Sequence, residues 1–329
     1  MHPFSYVAVD NEPAAIDGAA AGGRYVAGGT TLIDLMREEV EQPQRLIDIN
    51  GLPLRAVRLQ DDALVIGALA RMSDVAAHPA VLGSQPLIAE ALIEGASPQI
   101  RNMASIGGNL LQRVRCPYFR TLDAPCNKRT PGSGCSAIDG VNTGHALFGT
   151  SAHCVATHPS DLAVALVALD ATVALRGPAG ERRISVEDLY RLPGETPHLE
   201  HALERGELIV EVHVPHGRYG RRARYLKVRD RASYEFAVVS VAAALYLSGG
   251  IVRAARLAAG GVGTRPWRFR VSEEALVGQS PGQPAWEAAA GLAIAGARPL
   301  SGNAFKVELL RRTIIRALEM AASGPEGGV

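Results

Sequence analysis

Arg24-Tyr25-Val26-Ala27-Gly28-Gly29-Thr30-Thr31-Leu32-Ile33-Asp34-Leu35-Met36 reads as a short strand, a Gly-Gly-Thr-Thr turn and the opening of a helix. A glycine turn at such a junction is a phosphate cradle. Gly28 and Gly29 let the backbone approach a ligand with no Cβ in the way, and the free N–H groups at the following helix start favour an anion. The spacing matches neither G-x-G-x-x-G nor G-x-x-x-x-G-K-S/T, so neither a Rossmann nor a Walker site is indicated. A tight turn that binds nothing is the plain alternative.

A second glycine element, Ala104-Ser105-Ile106-Gly107-Gly108-Asn109-Leu110, again offers small residues beside a hydroxyl and an amide. Two cradles suit a ligand with two phosphates, although for this element taken singly a tight turn needing positive φ at Gly107 or Gly108 is the better reading. Around them the pattern predicts strands over 24–27 and 63–66 and helices over 32–39, 73–77 and 86–93. Gly177-Pro178-Ala179-Gly180 predicts a hairpin turn between 172–176 and 181–184, and the alternation over 207–214 predicts a strand packed on one face. The polar, glycine-bearing run from Pro215 through Arg221 to Arg222 reads as a domain linker. Antiparallel strands are expected over 223–228, 237–247 and 251–257. The last helix places Val307, Leu310, Ile314 and Leu318 on one face, and 323–329 is expected to fray.

All four cysteines, Cys116, Cys126, Cys135 and Cys154, fall inside 39 residues with the spacing C-x9-C-x8-C-x18-C. Thiols gathered on Pro- and Gly-rich loops point to a shared cofactor, since core cysteines used as small hydrophobes would be scattered among apolar runs. No pair has the two-to-four-residue spacing of a zinc knuckle, and the long gaps suit an iron–sulfur cluster held by a wrapped loop. Zinc, two disulfides and inert thiols stay open as alternatives. Arg113, Arg115, Arg120, Lys128 and Arg129 would offset a cluster's negative charge, or simply form a solvated face. The loop shows no apolar core of its own and is expected to depend on whatever the thiols hold. Nine histidines, including His145, His153 and His158, form no visible triad or H-E-x-x-H site.

With 34 basic and 33 acidic residues the chain has no field to attract nucleic acid, and 47% hydrophobic content is ample for two packed domains. The longest apolar run, 236–247, is too short for a membrane span. Met1-His2-Pro3-Phe4-Ser5-Tyr6 lacks the basic start and apolar core of a signal peptide, so any export is expected to be carried by a partner.

The motifs AGGTTLIDLM at 27–36, GASPQIRNMASIGGNLLQRVRCPYFR at 95–120, PCNKRTPGSGC at 125–135, CVATHPSD at 154–161 and YLKVRDRASYEFAVVSVAAAL at 225–245 run along most of the chain. In them the chain resembles the FAD-binding subunits of the xanthine dehydrogenase/molybdenum hydroxylase family. Its cysteine insertion is similar to that of the iron–sulfur-bearing FAD subunits of periplasmic aldehyde oxidoreductases.

The resemblance implies an α+β fold. A two-part FAD-binding domain of PCMH type over 1–216 would carry a [4Fe-4S] loop at 113–156. A C-terminal domain of antiparallel strands and helices, like that of carbon monoxide dehydrogenase flavoproteins, would follow over 222–322. It implies that Arg24, Tyr25, Val26, Ala27, Gly28, Gly29, Thr30, Thr31 and Leu32 hold the FAD pyrophosphate through backbone N–H groups, with Ser105, Gly108 and Asn109 as the second contact. Ser105 stands where the family usually has Thr and keeps the hydroxyl. Asp161 would accept hydrogen bonds from the flavin nucleotide and Lys227 would reach it from the C-terminal domain. A helix cap for Asp161 and a strand-edge charge for Lys227 are the plain alternatives. Cys116, Cys126, Cys135 and Cys154 would ligate the [4Fe-4S] cluster.

No residue is expected to act on substrate. By resemblance the aldehyde is oxidised at a molybdenum cofactor in a large partner subunit and electrons cross [2Fe-2S] clusters in a small one. This chain then relays them to an external acceptor, in the periplasm by co-export with a signal-bearing partner, or alternatively in the cytoplasm. A free-standing FAD oxidoreductase with a zinc- or disulfide-stapled loop is the competing reading, and a structural module with disulfides a third.

Overall fold

Parallel pairing needs crossovers, and the first residues supply them. In the computed structural model, which describes residues 1–220 and 222–324, β1 (Ser5–Ala8), β2 (Arg24–Val26) and β3 (Arg45–Asp48) form a parallel sheet of order β1-β3-β2. The helices Glu12–Ala20 and Leu32–Arg37 make the crossings. A second, antiparallel sheet has the order β4-β5-β8-β6-β7, built from β4 (Val57–Leu59), β5 (Ala63–Gly67), β6 (Thr172–Gly177), β7 (Gly180–Ser185) and β8 (Leu208–Pro215).

β8 corrects the expectation of a strand buried on one face. It lies in the middle of the sheet, and of its eight residues only Glu211 and Pro215 escape burial. Leu208 and Val210 enter one core while Ile209, Val212 and Val214 enter the other. A bulge where Ala174 pairs with Glu211 but Leu175 with Ile209 switches the parity, so simple alternation cannot persist.

The C-terminal sheet has the order β12-β11-β10-β9, from β9 (Ala223–Val228), β10 (Val239–Ser248), β11 (Ile251–Gly260) and β12 (Trp267–Arg268). Val241, Ala243 and Leu245 pack with the helices Gln283–Ile294 and Phe305–Ser323, while Ala242, Ala244 and Ala258 join the core of the first domain. Side chains this small let the sheet lie close against the helices Pro86–Glu94 and Asp161–Ala168. Leu310, Ile314 and Leu318 are buried as expected and Val307 partly so. Ser323 closes the last helix, whereas 325–329, and Arg221 in the linker, lie outside the described residues. Among the described residues no helix is long and apolar enough to cross a membrane.

The cysteine loop does have an apolar core, contrary to expectation. Phe119, Val114, Ala156, Cys126 and Cys154 pack with Leu35 from the first domain. Its second half is tied to the C-terminal sheet by Leu147 N–H and Phe148 N–H donating to the Val262 carbonyl at 2.7 and 3.0 Å.

Candidate functional site

β2 ends in the turn that precedes the helix Leu32–Arg37, and that helix begins with no side-chain cap, although Ile33 N–H is taken by the Gly29 carbonyl at 3.0 Å. Residues 22–32 line a cavity of about 520 Å³ together with Ser105, Gly107 and Gly108, a size suited to a nucleotide cofactor. Gly29 has φ 69°, the left-handed conformation the turn requires. Gly28 lines the same cavity and has a second task besides. A Cβ there would lie 2.0 Å from the Met103 carbonyl oxygen, so the missing side chain lets the two cradles press together. Their contact turns both toward one cavity. Gly107 and Gly108 lie in the short helix Ile106–Leu110 without positive φ, and Ser105 caps it by accepting from Gly108 N–H at 3.2 Å.

The opposite wall, residues 198–201 and 203–209, carried no sequence motif. Tyr25 Oη donates across to the Gly206 carbonyl at 2.8 Å. At the rim, the Arg113 guanidinium pairs with Glu200 at 2.6 Å and with Glu41, and stacks over the Phe119 ring at 4.5 Å. Burial opposes charge on Arg113, but Glu200 and Glu41 outweigh it and hold the pKa above the ordinary arginine value.

Asn109, Asp161 and Lys227 are placed elsewhere. Asn109 Oδ1 accepts from Ser160 Oγ at 2.6 Å, and Ser160, not Asp161, caps the following helix through Ala163 N–H. Asp161 is buried at the seam between the domains, accepting from Lys227 Nζ at 2.8 Å and Tyr225 Oη at 2.7 Å. The Lys227 side chain is 1% exposed, so the strand-edge alternative fails as well. Asp161 lines a second, small cavity with Arg115, Ser160 and Phe236.

All four cysteines line one small cavity with Val114, Phe119 and Ala137, and all are free thiols. Among the described residues no group of three or more His, Cys, Asp or Glu side chains could hold a metal ion. Burial pushes the Cys116 thiol up to about 12 and raises Cys154 as well, so any group bound here must displace protons. The His145 ring is buried, with Nε2 3.2 Å from Cys116 Sγ.

The basic residues around this loop are all engaged, which corrects the solvated-face alternative. Lys128 is buried, donating to the Pro197 carbonyl at 2.9 Å and standing 3.4 Å from Glu200. Arg129 pins the loop through the carbonyls of Tyr118, Phe119, Leu122 and Ala124. Arg115 and Arg120 both reach Asp34. Glu200 therefore joins Arg113 at the large cavity to Lys128 at the thiols. Burial works against its carboxylate, but Lys128 and Arg113 keep its pKa below the usual range. A small cavity in this wall touches both Cys154 and His201. There the Tyr190 ring stands 4.3 Å from His158 and 5.8 Å from His201, and burial drops their pKa values to about 3 and about 4.

Comparison with known proteins gives family matches, two relatives and a solved structure. Residues 3–217 match the family described as FAD binding domain in molybdopterin dehydrogenase, and 224–321 match the CO dehydrogenase flavoprotein C-terminal domain. The chain is 46% identical over 325 residues to the aldehyde oxidoreductase FAD-binding subunit PaoB of Escherichia coli (strain K12), covering 98% of this chain and 99% of that one. It is 28% identical over 303 residues to the carbon monoxide dehydrogenase medium chain of Hydrogenophaga pseudoflava, covering 91% and 88%. The structure of that organism's carbon monoxide dehydrogenase lacking the Mo-pyranopterin moiety superposes with a TM-score of 0.77 at 27% identity, covering 98% of each chain.

Proposed function

The chain belongs to the family of FAD-binding subunits of molybdenum hydroxylases, and from that membership we propose that it is the FAD- and [4Fe-4S]-bearing electron-transfer subunit of a molybdenum-dependent aldehyde oxidoreductase. One juxtaposition carries the proposal: four free thiols around one cavity lie one ion-pair network away from a glycine-lined cavity of nucleotide size. Flavin exchanges electrons singly or in pairs and an iron–sulfur cluster exchanges them singly, which is the chemistry the two groups bring when bound.

The chain's own residues bind, orient and insulate. The backbone of 24–32 offers N–H groups to a pyrophosphate, while Ser105, Gly107 and Gly108, whose glycine N–H groups are spent on Ser105 Oγ and the Ala68 carbonyl, give a close-fitting wall without side chains in the way. Asn109 links the second cradle through Ser160 to Asp161, which with Lys227 takes the other end of the nucleotide in this proposal. Cys116, Cys126, Cys135 and Cys154 would ligate the cluster once their thiols lose protons, beside Lys128 in the same cavity, whose charge is shared with Glu200.

In the same proposal a large subunit with the molybdenum cofactor oxidises the aldehyde and a small subunit with [2Fe-2S] clusters delivers the electrons. An external acceptor removes them, and the assembly reaches the periplasm by co-export. Metal, sulfide and flavin analysis of the purified complex tests the core of this reading. The wild-type chain is expected to carry both flavin and acid-labile sulfide, and Cys126→Ser to lose the sulfide while keeping the flavin. Zinc in place of iron, or unchanged iron and sulfide in that variant, overturns the cluster.

A further inference from the structure

We propose that His145 tunes the cluster by donating a hydrogen bond from Nε2 to the Cys116 sulfur, and that the C-terminal domain positions it for this through Lys306 and Asn303. The inference rests on the cluster reading above and adds a residue outside the four ligands.

The geometry is specific. His145 is 4% exposed, its Nε2 is 3.2 Å from Cys116 Sγ, and its Nδ1 is buried with no hydrogen-bond partner among the described residues. A neutral imidazole has one donor and one acceptor nitrogen. With the proton on Nε2 the donor meets the sulfur and only a lone pair is left unpaired. The other tautomer strands a buried N–H and turns a lone pair toward a thiolate, which costs more.

The ring is held from a distance in sequence. The His145 carbonyl accepts from Asn303 Nδ2 and from Lys306 Nζ, both at 3.0 Å. Lys306 and Asn303 are fully buried, and Lys306 spends its other two protons on the carbonyls of Gly144 and Gly261. This ammonium thus clamps 144–145 to the C-terminal sheet, and His145 N–H bonds the Asn142 carbonyl at 3.0 Å. A histidine whose backbone is fixed on both sides has little freedom to leave the sulfur.

A cluster held by these thiols would carry one more negative charge when reduced than when oxidised. Part of that charge resides on its ligand sulfurs. A hydrogen bond to Cys116 Sγ therefore stabilises the reduced form more than the oxidised form and raises the midpoint potential.

The test is an EPR-monitored redox titration of the purified complex, with iron, labile sulfide and FAD measured on every sample. His145→Ala is expected to retain all three and to shift the cluster midpoint to lower potential, with the flavin midpoint unmoved. His145→Gln, which carries an N–H at a similar reach, is expected to recover most of the shift, and Asn303→Ala to produce a smaller shift of the same sign. An unchanged midpoint in a fully loaded His145→Ala overturns the proposal. So does loss of iron from both the Ala and Gln variants, which would make His145 a ligand or a structural prop. Wild-type complex without labile sulfide in this chain overturns instead the cluster reading on which the inference rests.

Discussion

The two cavities are built by opposite means. The larger is shaped by backbone: Gly28 lets two turns meet, Gly29 reverses the chain, and the N–H groups exposed there need no particular side chain. The smaller is shaped by side chains: four thiols, the Phe119 ring and the Lys128 cation on a segment with one short helix, Pro117–Arg120. A backbone-built site tolerates most substitutions and fails where a Cβ intrudes. A side-chain-built site fails when one functional group is lost. Between them, Glu200 pairs with Arg113 at the larger cavity and with Lys128 at the smaller.

The largest effect expected from this contrast is at Gly28. Gly28→Val pushes the Met103 carbonyl away and separates the cradles, so FAD should be lost from the purified complex while labile sulfide stays. The local overpacking should cost about 3 kcal/mol in a denaturant melt. If the flavin survives, the cradles are less dependent on each other than their contact implies.

Glu200→Gln strikes the shared network and should damage both cavities at once. It leaves Arg113 and Lys128 without their common counter-charge at a buried site, a loss of about 3 kcal/mol near neutral pH. Because the folded-state pKa of Glu200 is lowered, this contribution is complete above the unfolded value of 4.5 and disappears as pH falls through the folded one. The gap in Tm between wild type and variant should therefore close in acid. A gap independent of pH would mean that packing, not charge, is what the carboxylate supplies.

The dividing wall should be acid-sensitive over a higher range. His158 has a folded pKa of about 3 against 6.5 unfolded, so folding is at full strength above 6.5 and weakens as pH drops below it. Between pH 6.5 and 5 the loss amounts to about 2 kcal/mol. His158→Asn keeps an acceptor for the Ser160 N–H and does not titrate, so its Tm should fall less over that interval. The smallest effect is at Ser105. Ser105→Ala removes the cap on Gly108 N–H and should cost about 1 kcal/mol, while Ser105→Thr should leave stability and flavin content nearly unchanged.

What could be read from the sequence was local. The strand, turn and helix at 24–36 announce themselves within a dozen residues, and the cysteines by their crowding. Contacts between distant segments were silent. The close approach of Gly28 to Met103 went unread because the two stand 75 positions apart. Glu200 lies 87 residues from Arg113, in a stretch with no recognisable pattern. The apolar core beneath the thiols escaped notice because Leu35, Phe119 and Ala156 come from three separate pieces of chain. The bulge opposite Ala174 and Leu175 hid the two-sided burial of β8, since a parity switch leaves a run that still alternates on either side of it.

The alanine face of β10 and β11 carries a consequence for how the molecule melts. Ala242, Ala244 and Ala258 complete the same apolar interior as the helices before them, so scission at the linker would bare oily surface on both fragments. Two modules that match separate families are thereby fused in thermodynamics, and heating the chain should release them in one cooperative calorimetric transition.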